Sequence, residues 1–546
     1  MPICKISGKE FNVSEIEKSL REKLGVPIPE KLSKYIFQEL AAFWPHFAIH
    51  KRKCDATGKD IISVFDEDCP YPVWYREYWA KNSNPPSVDF DFNKSFFEQL
   101  WDLFQKCPIP HNVNLFNENC EYADDWWHSK NCYLSHSGVH CEDCYYSFRI
   151  FRLKDCQYCV FSFNSEKCVD LINSHRCFNV KYALNSRDCR DSNFLFDCHN
   201  CSNCVLCWNL RNKEYCINNK QYTKEEYKKE LEKFNVSSRK NYKLLKENFH
   251  KIIKTKAWWR NQDMEKCDNS SGDYMENCKN AINNFFIEEA EDTVNSFRGM
   301  GIKDVIDTVS PFSVERCYYS SMPQIDCYEI RFCNDVSNSK YMEYCIRCLN
   351  CQSCFACCGL VNKKYCILNK QYSPEEYEKL VLQIKEKMKQ EGVHNQFFPG
   401  YFSANPYDES LAGFHWPISI EQQKNLGFRS KNIEERKNEN YLSISNIPDV
   451  HEGVSEGICN KVFWDELAKR PFQINKLDIV FSKKNKAPLP DCFYISRIKE
   501  NFSWMFCSAE LRETTCAITG EKILTGLPEF LNGRILSRDA YLKEIY

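Results

Sequence analysis

Between Cys120 and Cys216 fourteen cysteines fall at separations that are all multiples of three, and many of them directly follow Asn or Asp. In a β-strand, residues three apart face opposite sides, so a pair such as Cys141 and Cys144 cannot point inward from one straight strand and must straddle a corner. Asn and Asp tolerate left-handed backbone and make their own side-chain turns, which suits them to such corners. They stand before cysteine at Asn119, Asn131, Asp143, Asp155, Asp188, Asp197, Asn200, Asn203, Asp326 and Asn350. Cysteines also recur twenty-one apart: Cys120 with Cys141; Cys156, Cys177 and Cys198; Cys168 with Cys189; Cys327 with Cys348; Cys333 with Cys354; Cys345 with Cys366. The pattern predicts a β-solenoid whose coil takes twenty-one residues, with three short strands and three corners and cysteine lining the inner wall.

A longer duplication lies over the short one. CHNCSNCVLCWNLRNKEYCINNKQYTKEEY from Cys198 matches CLNCQSCFACCGLVNKKYCILNKQYSPEEY from Cys348 at a constant offset of 150. Each copy ends in an S/T-x-x-E capping box, Thr223 with Glu226 and Ser373 with Glu376, and Pro374 sits where a first helical residue tolerates proline. A helix over about 374–391 is expected to cap the second block.

The two ends of the chain resemble each other as well. FNVSEIEKSLREKLGVPIP from Phe11 aligns with FQINKLDIVFSKKNKAPLP from Phe472, and CDATGKDIIS from Cys54 with CAITGEKILT from Cys516. The expected fold is mostly β with helices: two β-solenoid (parallel β-helix-like) blocks capped by helices, flanked by degenerate zinc-ribbon-like α+β modules. The boundaries are 1–92 for the N-terminal module, 93–116 for a linker helix, 117–221 for block 1, 222–260 for a helical connector, 261–372 for block 2, 373–395 for a capping helix, 396–450 for an irregular linker and 451–546 for the C-terminal module.

Composition narrows the chemistry. Acidic and basic residues nearly cancel, with a formal net charge of −2, so no global basic field points to nucleic acid or to an anionic membrane. The start, MPICKISGKEF, has no apolar export core and no stretch approaches eighteen apolar residues, so a cytoplasmic protein with reduced thiols is expected. Most of the thirty-four cysteines are read as core, among them Cys120, Cys141, Cys156, Cys168, Cys177, Cys189, Cys327, Cys333, Cys345 and Cys366. The runs Cys198, Cys201, Cys204, Cys207 and Cys348, Cys351, Cys354, Cys357 have a spacing that thiolates use around metal clusters, which makes them candidate metal ligands. The C-x-x-[S/T]-G turns at Cys4, Cys54 and Cys516 have the outline of zinc knuckles, with hydroxyls at Ser7, Thr57 and Thr519 in place of the second thiolate. Tyr75 and Tyr78 hold the place of a downstream CxxC.

The strings KRKCDATGK, DFDFNKSFFEQL, NLRNKEYCINNKQYTKEEY, GLVNKKYCILNKQYSPEEY and PFQINKLDIVFSKKNKAPLP resemble a group of uncharacterised cysteine-rich repeat proteins of small-genome candidate-phyla bacteria. The similarity spans nearly the whole chain. It implies zinc-ribbon-like end modules, from which this sequence departs at Ser7, Thr57, Tyr75, Tyr78 and Thr519. Some members carry a CoA-transferase-like label, but no motif of such an enzyme is present here.

No phosphate-binding loop, dinucleotide fingerprint, zincin or nucleophile-elbow motif occurs, and His128, His136, His140, His175 and His199 form no recognisable catalytic spacing. The leading expectation is a non-enzymatic binding or assembly scaffold for a macromolecule, protein or nucleic acid, without a membrane and with self-association through the array ends as a further use. Its candidate binding surface is the basic, aromatic run Lys251, Lys254, Lys256, Trp258, Trp259 and Arg260. Trp126, Trp127, Tyr145, Tyr146, Trp208, Tyr318 and Tyr319 offer either stacking platforms or core ladders. Two other classes stand beside the scaffold: a zinc, iron–sulfur or redox protein, and a polysaccharide-acting β-helix enzyme using Asp143, Asp155, Asp188 and Asp197 on one wall.

Overall fold

The computed structural model describes residues 1–114, 116–120, 122–312, 314–322, 327–431 and 438–546. The chain is a mixed α/β protein dominated by two long parallel sheets. In block 1 the strands from Asp124–Trp127 to Glu214–Ile217 lie side by side in chain order apart from one local branch, and partners are twelve residues apart: Asp124 pairs with His136, His136 with Phe148, Phe148 with Val160, Ser202 with Glu214. Block 2 repeats this step from Gly272 with Asn284 to Gln352 with Lys364, and takes thirteen residues once, between Glu315 and Tyr328. The step is therefore twelve residues, not the expected twenty-one.

The three-residue class has a direct structural cause. In block 1 left-handed backbone recurs at nearly every third residue, as at Asn119, Asn131, Leu134, Ser137, His140, Asp143 and Tyr146, and the following residue points into the core. Every member of that core cluster, from Cys120 to Cys216, has a residue number divisible by three. Four corners thus divide each step into four three-residue sides. The expected corner residues Asn119, Asn131, Asp143, Asp155, Asp188, Asp197, Asn200, Asn203 and Asn350 all have φ between 48° and 55°, whereas Asp326 lies outside the described residues. Among the described residues, Val, Ile and Thr never occupy a left-handed position, because branching at Cβ makes that conformation most costly.

Cysteine suits the inner position because it is small and weakly polar. The Cys141 thiol donates to the Val139 carbonyl at 3.4 Å and the Cys204 thiol to the Ser202 carbonyl at 3.3 Å. Serine replaces it where the next strand needs an acceptor: Ser186 Oγ donates to the Leu184 carbonyl (3.0 Å) and accepts the Cys198 N–H (3.2 Å). Outside, residues twelve apart form ladders. Asn119 donates to Asn131 and Asn131 to Asp143 (3.0 and 2.9 Å), while Lys130 pairs with Glu118 and Lys154 with Glu142 (3.1 and 2.9 Å).

The sheet ends are sealed by side-chain amides that imitate a further strand. At the start of block 1, Asn114 Oδ1 accepts the Trp126 N–H and its Nδ2 donates to the Ala123 carbonyl. Trp126 fills the interior there, and Gly138 makes room for it one step on, since a Cβ at Gly138 would lie 2.4 Å from the Trp126 ring. At the other end, Asn219 accepts from and donates to the backbone of Trp208 (2.9 and 2.9 Å), and Asn369 does the same to Cys358 (3.0 and 3.2 Å). Both belong to two-residue turns with positive φ at both positions, Asn218–Asn219 and Leu368–Asn369, the geometry of a tight hairpin. The duplicated NNKQY and LNKQY strings are thus sheet terminators. The helices Lys224–Leu231 and Pro374–Gln390 follow, each opened by the expected capping box.

The end modules match element by element. Helix Glu15–Leu24 corresponds to Lys476–Asn485, hairpin His50–Lys53 with Asp60–Ser63 to Arg512–Thr515 with Lys522–Thr525, and helix Arg76–Asn82 to Arg538–Ile545. Two compact units result, each containing one block and one module. Met1–Asn112 joins Gln262–Asn432 and Ser508–Leu511, while Val113–Asn261 joins Ile433–Cys507 and Arg512–Tyr546. The N-terminal module therefore packs with block 2 and the C-terminal module with block 1.

Candidate functional site

Cys198, Cys201, Cys204 and Cys207 fill all four inward positions of one twelve-residue step, and Cys348, Cys351, Cys354 and Cys357 do so in block 2. All eight are buried, and burial pushes the Cys198 and Cys348 thiols well up. Among the described residues, no group of three or more His, Cys, Asp or Glu is arranged to hold a metal ion. The ten cysteines expected in the core, from Cys120 to Cys366, are buried in the same two clusters.

The three knuckle-like turns share one geometry. Cys4, Cys54 and Cys516 each accept a backbone N–H on Sγ, from Leu32 (3.4 Å), Tyr75 (3.2 Å) and Ser537 (3.4 Å), each of them the N-cap of a helix. Burial would raise these thiols, but hydrogen bonds from Ser7, Thr57 or Thr519 and from backbone N–H groups outweigh it, so Cys54 is lowered and Cys4 and Cys516 fall to about 7. Beside the second turn, the Lys59 ammonium lies 3.9 Å over the Tyr75 ring.

The basic run 251–260 is part surface and part anchor: Lys251, Lys254 and Lys256 are exposed, Trp258 and Arg260 half-buried and Trp259 buried. Lys254 lies over the rings of Trp504 and Phe530 (5.0 and 5.2 Å), and Lys256 lies 5.7 Å from the Trp208 ring. Trp259 is buried against Phe196, and Trp259–Arg260 pairs with Ile535–Leu536 as a strand. Trp258 packs with Cys516, Leu536 and Tyr541. Lys251 and Lys254 belong to the helix Arg239–Thr255. This segment therefore fastens the C-terminal module, which is why its rings are apolar anchors.

The four aspartates considered as a catalytic wall do not converge. Asp143 and Asp155 share one column, whereas Asp188 and Asp197 stand on two others, and each is engaged: Asp143 with Asn131, Asp155 with Lys484, Asp188 with Arg176, Asp197 with Arg211.

Of the four outer sides of block 1, two are buried. One carries Tyr146, Tyr158, Asp170, Tyr182 and Phe194 under the helices Arg239–Thr255, Lys476–Asn485 and Tyr494–Ser503; the other carries Phe148, Val160, Ile172, Leu184 and Phe196. A third is the exposed Glu/Lys ladder. The fourth combines an exposed corner column, Phe116, His128, His140, Arg152, Asn164, Arg176, Asp188, Asn200 and Asn212, with a half-buried column, Trp127, Val139, Phe151, Phe163, His175, Arg187, His199 and Arg211, in which His175 alone is buried. Rings stack along it: Phe116 on His128 (5.0 Å, 14°), His128 on His140 (5.2 Å, 15°) and Phe163 on His175 (4.9 Å, 24°). The Arg152 guanidinium lies 4.8 Å over the Phe151 ring. Burial, then His128 and Arg152, hold the His140 imidazole below its ordinary pKa, so it is neutral at neutral pH.

Together these two columns hold four arginines, four histidines and one carboxylate in a chain of net charge −2. Their counterparts in block 2, 150 residues on, are Ser337, Leu349 and Val361 in place of Arg187, His199 and Arg211. The signal in the sequence was a lag of twelve between aromatic and basic residues, hidden by the cysteine pattern. Trp127 belongs to this face. Trp126, Tyr146, Tyr318 and Tyr319 are buried, and Tyr145 and Trp208 are half-buried. No protein-family model matches the chain, and no curated protein is significantly similar to it. No helix among the described residues is long and apolar enough to cross a membrane.

Proposed function

We propose that the protein is a non-enzymatic binding scaffold. Each block is read as a β-solenoid of four-cornered section closed by asparagine amides and a helix, and each end module as a degenerate zinc-ribbon-like fold whose remaining sulfur is held by hydrogen bonds in place of a metal. The observation that carries the reading is the partition of block 1: two sides sealed, one neutralised by its own ion pairs, and one left basic and aromatic. A surface of that kind suits an acidic macromolecule more than a small substrate, because its groups lie along columns instead of converging in a cleft. The aspartates on separate columns weigh against the polysaccharide-enzyme reading.

Hydroxyl-radical footprinting in cells and on purified protein tests the proposal. Trp127, Phe151 and Phe163 are expected to be protected in cells and reactive when purified, while Tyr341 of block 2 stays reactive in both. Equal reactivity in both samples would overturn it. Metal analysis of anaerobically purified protein decides the competing reading, since stoichiometric zinc or iron would favour a metalloprotein.

A further inference from the structure

We infer that the basic, aromatic side of block 1 takes single-stranded nucleic acid laid along the column axis, an inference that rests on the scaffold reading and names its partner. Three features of the surface point to a single strand. First, the charge is right and local: Arg152, Arg176, Arg187 and Arg211 outnumber the two carboxylates they meet, Asp188 beside Arg176 and Asp197 beside Arg211, with Arg152 exposed, on columns whose equivalents in block 2 hold Ser337, Leu349 and Val361. Arginine held over a ring keeps its N–H groups available for phosphate, and Arg152 is exposed in that posture over Phe151.

Second, the surface is flat and narrow. A three-residue side spans about 10 Å, enough for one phosphodiester strand. From Trp127 to Phe163 the face is made of alternating corners and short strands, while its far end, at His199 and Arg211, is packed by Tyr541 and Tyr546 at the C-terminal helix, so its exposed part offers a shallow path and no helix or ribbon to enter a major groove about 12 Å wide.

Third, the ring ladder has an open end. Inner members of a stack have their faces occupied by neighbours, as His128 does between Phe116 and His140. Phe116 is the first ring; among the described residues nothing stacks on its other face, and the residue is 74% exposed. That face can take a base, since every base has a π-face and stacking is sequence-tolerant. The ring edges of His128 and His140 add hydrogen-bonding groups along the path.

Fluorescence anisotropy of labelled oligothymidylate with the full chain tests this, with duplex DNA, heparin and polyglutamate as the other probes. Oligothymidylate is expected to bind in preference to the duplex and to weaken steeply with salt. Phe116→Ala should reduce its affinity roughly tenfold, and Arg152→Ala should lower the salt slope by about one unit. Both residues are exposed, so the variants keep the fold, and Lys130→Ala on the Glu/Lys ladder should bind as the parent does. Failure of oligothymidylate to bind, or binding indifferent to both Phe116→Ala and Arg152→Ala, would overturn the inference. Heparin or polyglutamate binding that is lost in Arg152→Ala without oligothymidylate binding would overturn the single strand as partner and leave the scaffold reading standing.

Discussion

At the residue scale, stability rests on a few buried charges whose partners come from distant parts of the chain. Arg21, 1% exposed, donates to both oxygens of Asp307 (2.9 and 2.9 Å), and Asp307 also accepts from Asn295 in the amide ladder of block 2. Asp307→Ala would leave the buried guanidinium with Glu17 and the Pro27 carbonyl, and urea unfolding is expected to show a loss of about 3–5 kcal/mol. Replacing Arg21 and Asp307 together by apolar residues should recover most of it, because the cost is that of a lone buried charge. Asp478 behaves in the opposite sense to a paired carboxylate. It is buried, Oδ1 has no hydrogen-bond partner among the described residues, Oδ2 accepts from Tyr146 and from the Asn475 N–H, and burial raises its pKa to about 7. The unfolded chain ionises first as pH rises, so the contribution is full below about pH 4 and is lost progressively up to about 7. The urea midpoint should therefore fall across that window, and Asp478→Asn should flatten the fall.

At the element scale, the parallel sheets need ends. A sheet edge offers unpaired N–H and C=O groups to any other chain, and here Asn219 and Asn369 occupy them. Asn219→Ala should cost about 1–3 kcal/mol through the unmade bonds of Trp208. Light scattering should also show concentration-dependent association, and a monodisperse variant of unchanged stability would refute the terminator role. Much of this scale was readable beforehand. The capping boxes and the Asn and Asp corners appear where local chemistry places them, since each depends on a few neighbouring residues. The terminator role is not legible in these strings, conspicuous as their duplication is, because an amide that imitates a strand is defined by a partner eleven residues away.

At the scale of the whole molecule, each compact unit is assembled from both halves of the chain, the first from Met1–Asn112 with Gln262–Asn432 and the second from Val113–Asn261 with Ile433–Cys507. Fragments 1–261 and 262–546 are each expected to be unfolded or aggregated alone, and co-expression should restore a soluble complex with the parent's circular dichroism. Cooperative unfolding by either fragment alone would contradict this. The matching elements of the two modules made the duplication visible in sequence, but not the pairing, since buried contacts such as Arg21 with Asp307 and Tyr146 with Asp478 link residues hundreds of positions apart.

Sequence by itself determined the three-residue grammar of block 1: a left-handed corner, an inward cysteine or serine, an outward residue. That rule is local, because the steric tolerance of Asn and Asp and the size of a thiol suffice to set it. The number of sides per step was left to the tertiary structure. Any multiple of three returns a residue to an inward position, so a lag of twenty-one satisfied the cysteines as well as a lag of twelve did. Only closure of the backbone, with each N–H meeting the carbonyl of the next strand, selects four sides. The same closure brings Phe116, His128, His140 and Arg152 into one column, and there the functional reading begins.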